Sequence, residues 1–240
     1  DRDPGLDRPP PVAGTLMLSG KLTLTPIDAL TELTVIAQQL ADKAEGRRIV
    51  LGLAGGPGVG KSTLAADLVG ALNAAQPGLA ALVPMDGFHM KHAKLETMGQ
   101  TDFKGAPHTF EAGDFAQFLS RLKVATEAMS GPGYSRKIED TVDDAFTVSP
   151  EVKVLVVEGN YLLLDDGDWA AVRPLLDYAA FISVPRDLVR ARLMKRHGEE
   201  GLFTEERNRA HIERNDLPNY DRVMDTQGRA DVIITLDVAQ

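Results

Sequence analysis

Residues 55–62 have the types and spacing that predict chemistry most directly. They read Gly-Gly-Pro-Gly-Val-Gly-Lys-Ser and satisfy the pattern G-x-x-x-x-G-K-[S/T] in full. An apolar run over 49–54 precedes them, and a helix-like sequence over 62–69 follows. In this strand–loop–helix context the pattern binds a nucleoside triphosphate, whereas a glycine-rich turn matching by accident would lack the flanking elements.

The chemistry of phosphate binding explains the spacing of this loop. Glycines let successive backbone N–H groups turn toward the β-phosphate, and the helix N-terminus adds partial positive charge. Lys61, expected to face solvent, reaches the β- and γ-phosphates, and the Ser62 hydroxyl binds Mg²⁺. The predicted ATP-binding residues are Gly55, Gly56, Pro57, Gly58, Val59, Gly60, Lys61, Ser62 and Thr63.

Two carboxylates each follow a strand-like run. Asp86 comes after the run 79–84 and is a candidate general base, although an Asp before Gly87 could also cap a turn. Glu158 closes the run 152–157 and is a candidate second Mg²⁺ anchor, acting through water, although it could simply mark the end of the strand. His89 and His92 lack an evident third metal ligand, which favours a surface or substrate-pocket role.

A basic segment follows over 186–197. Arg192 and Arg196 are four residues apart and share a helical face, and glycines flank the sequence 198–201. A mobile lid over about 196–204 could bring these cations to the transferring phosphoryl group. The alternative is a solvated basic face.

The order of apolar runs and helical patterns predicts an α/β protein with the P-loop NTPase fold. Buried strands are expected over 49–54, 79–84, 152–157, 179–184 and 231–236, with helices starting near Thr25 and over 111–129, 168–177, 186–197 and 205–214. A parallel sheet of about five strands with helices on both faces follows, and its ligands should bind at the carboxyl ends of the strands.

Composition limits the function classes. The chain has 240 residues, a net charge of −9 and no cysteine, which argues against duplex binding and excludes disulfides and thiolate chemistry. No apolar run approaches a membrane span, so we expect a cytoplasmic enzyme with no nucleic-acid or membrane partner. A homodimer is a possible assembly. Residues 1–20 are expected to be a disordered tail or an expression remnant, followed by one P-loop domain over 21–240.

Further strings complete a resemblance. The chain resembles the uridine kinase, phosphoribulokinase and type I pantothenate kinase superfamily, within it the nucleoside/nucleotide kinase-like or fructose-transport-associated branch. The matching strings are 55–62, 85–89, 104–107 with Thr109 and Phe110, 134–136 with Glu139 and Asp140, 158–163, and Asn215, Asp216 and Asn219.

The resemblance implies ATP-dependent phosphorylation of a hydroxyl on a small metabolite, with Asp86 at the base position and Arg192 and Arg196 at the lid arginines. Relatives that phosphorylate uridine carry Pro-x-Tyr-Asp-Phe, whereas residues 132–136 here read Pro-Gly-Tyr-Ser-Arg, which disfavours uridine.

An insert over about 100–147 does not fit the alternation of strands and helices, and we expect it to supply the walls of the acceptor pocket. The predicted substrate-binding residues are Asp86, His89, Lys104, His108, Tyr134, Arg136, Asp140 and Asn160. This polar mixture suits a sugar, polyol or carboxylate slightly better than a nucleobase. The acceptor class nevertheless stays open between a sugar, a nucleoside and a pantothenate-like alcohol. A regulatory switch without an acceptor, or a binding module without turnover, are the alternatives.

Overall fold

The computed structural model describes residues 18–201 and 204–237, and eight strands lie in this part of the chain. They are β1 (Gly20–Leu24), β2 (Ile49–Ala54), β3 (Ala80–Pro84), β4 (Met129–Ser135), β5 (Asp140–Val148), β6 (Val154–Gly159), β7 (Tyr178–Ser183) and β8 (Val232–Leu236). Six of them form one sheet in the order β1-β8-β7-β2-β6-β3, with every neighbouring pair parallel.

Seven α-helices accompany these strands in the described residues. They are α1 (Pro26–Lys43), α2 (Lys61–Ala75), α3 (His92–Met98), α4 (Ala112–Val124), α5 (Arg186–Glu200), α6 (Glu205–His211) and α7 (Leu217–Met224). Within residues 18–201 and 204–237, no helix combines the length and the apolarity that crossing a bilayer requires.

The central strands are buried on both faces, as their nearly continuous apolar sequences predict. Every residue of β2, β6 and β7 is buried. Successive residues alternate between two cores: Leu51 and Leu53 pack with α1 and α2, whereas Val50 and Ala54 pack with α4 on the other face. The predicted parallel sheet with helices on both faces is therefore confirmed.

The edge of the sheet differs from the prediction of about five strands. A sixth strand, β1, pairs in parallel with β8 from Gly20↔Val232 to Leu24↔Leu236. Its residues are mostly exposed or half-buried, so its sequence lacks the continuous apolar signal of a central strand. Of the predicted tail, residues 1–17 lie outside the described residues, while the Leu18 carbonyl accepts a hydrogen bond from the Tyr178 hydroxyl at 2.7 Å.

Three predicted helices also differ. The segment 168–177 forms two 3₁₀ turns, Gly167–Ala171 and Arg173–Leu175, because Pro174 interrupts the helical hydrogen-bond pattern. The helix predicted over 111–129 ends at Val124, and β4 begins at Met129. The one predicted over 205–214 continues through a π-helical turn, Ile212–Asp216, into α7.

The hairpin of β4 and β5 stands apart from the main sheet and docks against the end of β3. Its strands pair antiparallel from Met129↔Val148 to Ser135↔Asp140. Gly87, just beyond β3, packs so closely on the hairpin that an added Cβ would lie 1.9 Å from the Pro132 carbonyl oxygen. The hairpin is thereby held at the carboxyl end of the sheet.

Candidate active site

The phosphate loop joins β2 to α2, as its sequence predicts. Gly60, the N-cap residue of α2, adopts a φ of 96°, which favours glycine because a side chain would be strained there. No side chain caps α2, so the N–H groups of its first turn are available to a phosphate. The loop therefore presents an anion site at the carboxyl end of the sheet.

Lys61 is buried at this loop, whereas the sequence analysis expected it to face solvent. Only 8% of Lys61 is exposed, and its Nζ donates to the Gly56 carbonyl oxygen at 3.3 Å. Burial lowers the pKa of Lys61, the negative charges of Glu158 and Asp86 oppose that shift, and Arg196 and Arg136 add to it. Two carboxylates and two guanidinium groups thus act on one buried ammonium group.

Glu158 and Ser62 meet beside Lys61. Glu158 ends β6, is 6% exposed, and its Oε2 accepts a hydrogen bond from the Ser62 hydroxyl at 3.2 Å. Burial raises the pKa of Glu158, while the positive charge of Lys61 lowers it. A hydroxyl and a carboxylate are ligands that suit Mg²⁺, which takes few protein ligands and completes its shell with water and phosphate oxygens. The described residues hold no group of three or more His, Cys, Asp or Glu side chains placed to bind a metal ion.

Asp86 lies in a 3₁₀ turn, Met85–Phe88, directly after β3. Its negative charge acts on Lys61 and Glu158 on one side and raises the pKa of Tyr134 and of His89 on the other, where burial is the larger influence on both rings. Met85 packs on Gly159 of β6, where an added Cβ would lie 2.6 Å from the Met85 side chain, and Gly87 packs on Pro132, so Asp86 lies between the end of β6 and the hairpin. The sequence predicts a base for an acceptor hydroxyl at this residue.

His89 is held in one orientation by its neighbours. Its ring lies between Phe110 and Tyr134, with centroid distances of 3.9 and 4.6 Å. Nδ1 is 2.7 Å from the Asp86 carbonyl oxygen, and a carbonyl can only accept, so Nδ1 carries a hydrogen. Burial lowers the pKa of His89, which favours the neutral ring and leaves Nε2 as a hydrogen-bond acceptor.

Tyr134 and Lys104 form the next part of this region. The Tyr134 hydroxyl donates to Glu139 Oε2 at 3.2 Å, and Lys104 Nζ lies 5.3 Å from the centroid of the Tyr134 ring. Lys104 Nζ also donates to the Glu139 carbonyl oxygen. Burial lowers the pKa of Lys104, opposed by Glu139 and Asp140. We call Lys104, Tyr134 and His89 the acceptor wall, after the role that the sequence predicts for them.

The remaining predicted substrate residues have different surroundings. Arg136 directly follows β4 in the hairpin, and its positive charge lowers the pKa of both Lys61 and Glu158, on which burial is the largest influence. Asp140 Oδ1 accepts from the backbone N–H groups of His92 and Thr141 at 3.2 and 2.9 Å, and so ties the hairpin to α3.

Two further predicted residues, His108 and Asn160, have contacts outside the acceptor wall. His108 Nε2 lies 3.0 Å from Gln100 Oε1, and its ring contacts the ring of Phe103. A hydrogen bond from the Asn160 side chain opposes the rise that burial causes in the pKa of Tyr161.

The arginines of α5 separate into two groups. Arg186 and Arg190 are exposed and pair with Asp221 and Glu213. Arg192, by contrast, donates to the carbonyl oxygens of Gly58 and Val59 at 3.3 and 3.2 Å. This division favours a phosphate-site role for Arg192 over a solvated basic face.

The predicted lid differs in form. Helix α5 continues through Gly198 to Glu200, so the sequence 198–200 is helical and not a glycine hinge. Residues 202 and 203 lie outside the described part of the chain.

Comparison with known proteins decides the family. Residues 50–238 match the phosphoribulokinase / uridine kinase family. The chain belongs to this family. A Schizosaccharomyces pombe relative, provisionally named a uridine kinase, is 35% identical over 195 residues, which cover 78% of this chain and 83% of the relative. A pantothenate kinase of Limosilactobacillus reuteri is 28% identical over 207 residues, covering 77% of this chain and 67% of its own.

A solved structure supports the same assignment. A Silicibacter protein, provisionally described as a fructose transport system kinase, has a TM-score of 0.75 and 34% identity, covering 84% of this chain and 98% of its own. As a member of the family, this kinase is an ATP-dependent phosphotransferase that acts on an alcohol group of a small molecule. The names of these proteins differ in substrate, so family membership leaves the acceptor open.

Sequence reasoning missed two residues that form hydrogen bonds to the backbone of Lys104 and Gly105. Tyr161 donates through its hydroxyl to the Gly105 carbonyl, and Asn215 donates through Nδ2 to the Lys104 carbonyl at 2.8 Å. Both residues lie in sequence strings that carry the family resemblance, and this was the signal in the sequence that could have identified them. Their roles depend on contacts across 56 and 111 residues of sequence, and no local pattern encodes them.

The burial of His89 predicts a dependence of stability on pH. Its pKa in the folded protein lies below the ordinary 6.5, so the unfolded chain binds the proton first as the pH falls through 6.5. The stabilisation from neutral His89 is therefore present above that pH and is lost below it. In urea unfolding between about pH 8 and pH 5, His89→Gln should lose less stability than the wild type.

His92→Gln is the matched control, since His92 is an exposed side chain 3.4 Å from Glu96. We expect its acid slope to differ from that of the wild type by less than the slope of His89→Gln does, because an exposed charge pair contributes little to stability. The same acid slope in His89→Gln as in the wild type would show that burial of His89 does not favour the neutral ring.

Proposed function

We propose that this kinase transfers the γ-phosphate of ATP to a hydroxyl of a small polar metabolite, a sugar, polyol or hydroxy acid in preference to a nucleoside. The observation that carries the proposal is the position of Asp86, which lies just beyond Pro84, the residue of β3 that pairs with Glu158 of β6. On the hairpin side, the Asp86 carbonyl oxygen is 2.7 Å from Nδ1 of His89, whose ring contacts that of Tyr134. A hydroxyl placed there is next to a carboxylate and to a phosphate loop. The cytoplasmic location and the homodimer remain predictions.

In the proposed reaction Asp86 accepts the proton of the attacking hydroxyl. The hydroxyl oxygen forms a bond to the γ-phosphorus as the bond to the bridging oxygen of ADP breaks. Lys61, Arg192 and Arg196 offset the negative charge of the transferring group. Ser62 and Glu158 would hold Mg²⁺, which supplies Lewis-acid stabilisation of the phosphate oxygens when it is bound.

The acceptor class follows from how Tyr134 is engaged. Its ring already contacts His89, the Lys104 ammonium lies over it, and its hydroxyl is bonded to Glu139. A nucleobase would have to compete with these contacts for stacking. The bare Nε2 of His89 and the cations Lys104 and Arg136 instead suit several hydroxyls or a carboxylate. His108 and Asn160 remain proposed contributors, whereas Oδ1 of Asp140 already serves the hairpin.

The same acceptor wall argues against the alternative of a regulatory switch. A P-loop switch needs only a water molecule beside the γ-phosphate, and a group of contacting rings with a cation over one of them has no use there. The wall supports a metabolic kinase.

An acceptor screen tests the proposed function. ADP release is measured with sugars, polyols, hydroxy acids including pantothenate, and nucleosides, against a control without acceptor. We expect acceptor-dependent release with the largest kcat/KM for a sugar, polyol or hydroxy acid. A kcat/KM for uridine or cytidine well above all of these would overturn the acceptor class. Release that no acceptor stimulates would favour the switch.

Two isosteric substitutions separate the proposed roles of the carboxylates. Asp86→Asn removes proton acceptance and keeps the volume, so kcat should fall by roughly 10²–10⁴ with the KM for ATP little changed. Glu158→Gln should instead raise the Mg²⁺ concentration needed for half-maximal activity. Steady-state kinetics in a Mg²⁺ titration measures both, and exchanged outcomes would mean that the two roles are interchanged.

A further inference from the structure

The π-helical turn Ile212–Asp216 and the start of α7 contact the active site at three places. Hydrogen bonds in such a turn run from residue i to i+5, and turns of this kind inside α-helices are frequent at functional sites. Here the turn directly precedes Leu217 and Pro218, and a proline ring disturbs the preceding α-helical turn. Ile212 and Asn215 are the buried residues of this turn.

Asn215 is the side chain that this turn directs to the acceptor wall. It is 7% exposed, and its Nδ2 donates to the Lys104 carbonyl oxygen at 2.8 Å. Its Oδ1 accepts from Asn219 Nδ2 at 3.2 Å. The hydrogen bond from Asn219 directs Oδ1 of Asn215 away from the Lys104 carbonyl, so the Nδ2 of Asn215 faces that carbonyl.

The backbone that Asn215 holds is also held from other sides. Tyr161 donates to the carbonyl of the next residue, Gly105, and the Gly105 N–H donates to Thr109 Oγ1 at 3.0 Å. Gly105 has a φ of 95°, a conformation that favours glycine. From this fixed backbone the Lys104 side chain extends over the ring of Tyr134. The Asn215 hydrogen bond is the contact that joins the backbone of Lys104 to the helical stretch 212–224.

The same stretch contacts the phosphate side. Asp216 Oδ2 lies 3.1 Å from His197 Nε2, and His197 follows Arg196 on α5. Tyr220 packs on the phosphate loop, where a Cβ added to Gly56 would lie 2.6 Å from its ring. The Tyr220 hydroxyl donates to the Val184 carbonyl at 3.0 Å. One continuous helical stretch thus touches the arginine helix, the phosphate loop and the acceptor wall.

We propose that Asn215 is a positioning residue for the acceptor substrate. By holding the Lys104 carbonyl to a helix that also packs on the phosphate loop, it sets the acceptor wall at a fixed distance from the transferring phosphate. Asn215 acts through Lys104 and does not touch the reacting atoms. The inference rests on the proposed function in that Lys104 must bind the acceptor.

The first test is kinetic and uses Asn215→Asp. This change keeps the shape but replaces the Nδ2 donor with an oxygen that faces the Lys104 carbonyl oxygen. With the best acceptor from the screen, the KM for the acceptor should rise about tenfold, with the KM for ATP unchanged.

Asn73→Asp is the matched control, because Asn73 Nδ2 donates to the Ala80 carbonyl at 3.0 Å, far along α2 from the phosphate loop. It loses the same kind of bond, and the KM for the acceptor should not change. A lower kcat with an unchanged acceptor KM in Asn215→Asp would indicate loss of folded enzyme and overturn the positioning role.

A double-mutant cycle asks whether Asn215 acts through Lys104. In a Lys104→Met background, Asn215→Asp should raise the acceptor KM by less than threefold, since the group it positions is already gone. If the rise in acceptor KM of the double variant equals the product of the rises in the two single variants, Asn215 does not act through Lys104, and the proposal is overturned.

Hydrogen exchange makes the inference independent of the acceptor. Without substrate, amides in the segment 104–110 should exchange faster in Asn215→Asp than in the wild type or in Asn73→Asp. If no acceptor is phosphorylated at all, the proposed function fails, and this measurement alone decides whether Asn215 holds the wall. Unchanged exchange in the segment would overturn that claim.

Discussion

The buried ammonium group of Lys61 is the interaction on which the arrangement of the other charges depends. An isolated cation this deep in a protein would be costly, and the carboxylates of Glu158 and Asp86 oppose the fall in its pKa. The same cation lowers the pKa of Glu158, which burial raises. Phosphate binding then adds anionic oxygens to a site where Arg136 and Arg196 also act. The protein thus keeps a compact cluster of opposite charges at the place where phosphoryl transfer develops charge.

The parallel sheet brings these groups together. Lys61 and Asp86 follow β2 and β3, and Glu158 is the second-last residue of β6. These strands are neighbours in the order β2-β6-β3, and all three end at the same edge of the sheet. The hairpin docks at that edge through Gly87 and Pro132, which brings Tyr134 to His89. Residues far apart in sequence therefore meet because parallel strands share one direction.

Local sequence predicted the parts of the fold whose signals are local. The phosphate loop, the buried strands and the capped start of α1 at Thr25 carry their own residue patterns, and the structure has each of them. The edge strand β1 was missed because one edge of it meets water and its sequence resembles a loop. The burial of Lys61 and the bond from Asn215 to Lys104 could not be predicted, because both depend on which distant segments pack together.

Replacing Lys61 with Met tests the central claim most directly, because Met removes the charge and nearly keeps the length of the side chain. The kinetics are measured at saturating ATP with the best acceptor, and circular dichroism checks the fold. If the buried cation stabilises the transferring phosphoryl group, kcat should fall by at least about 10²-fold in a folded protein. Wild-type turnover in a folded Lys61→Met variant would contradict the account.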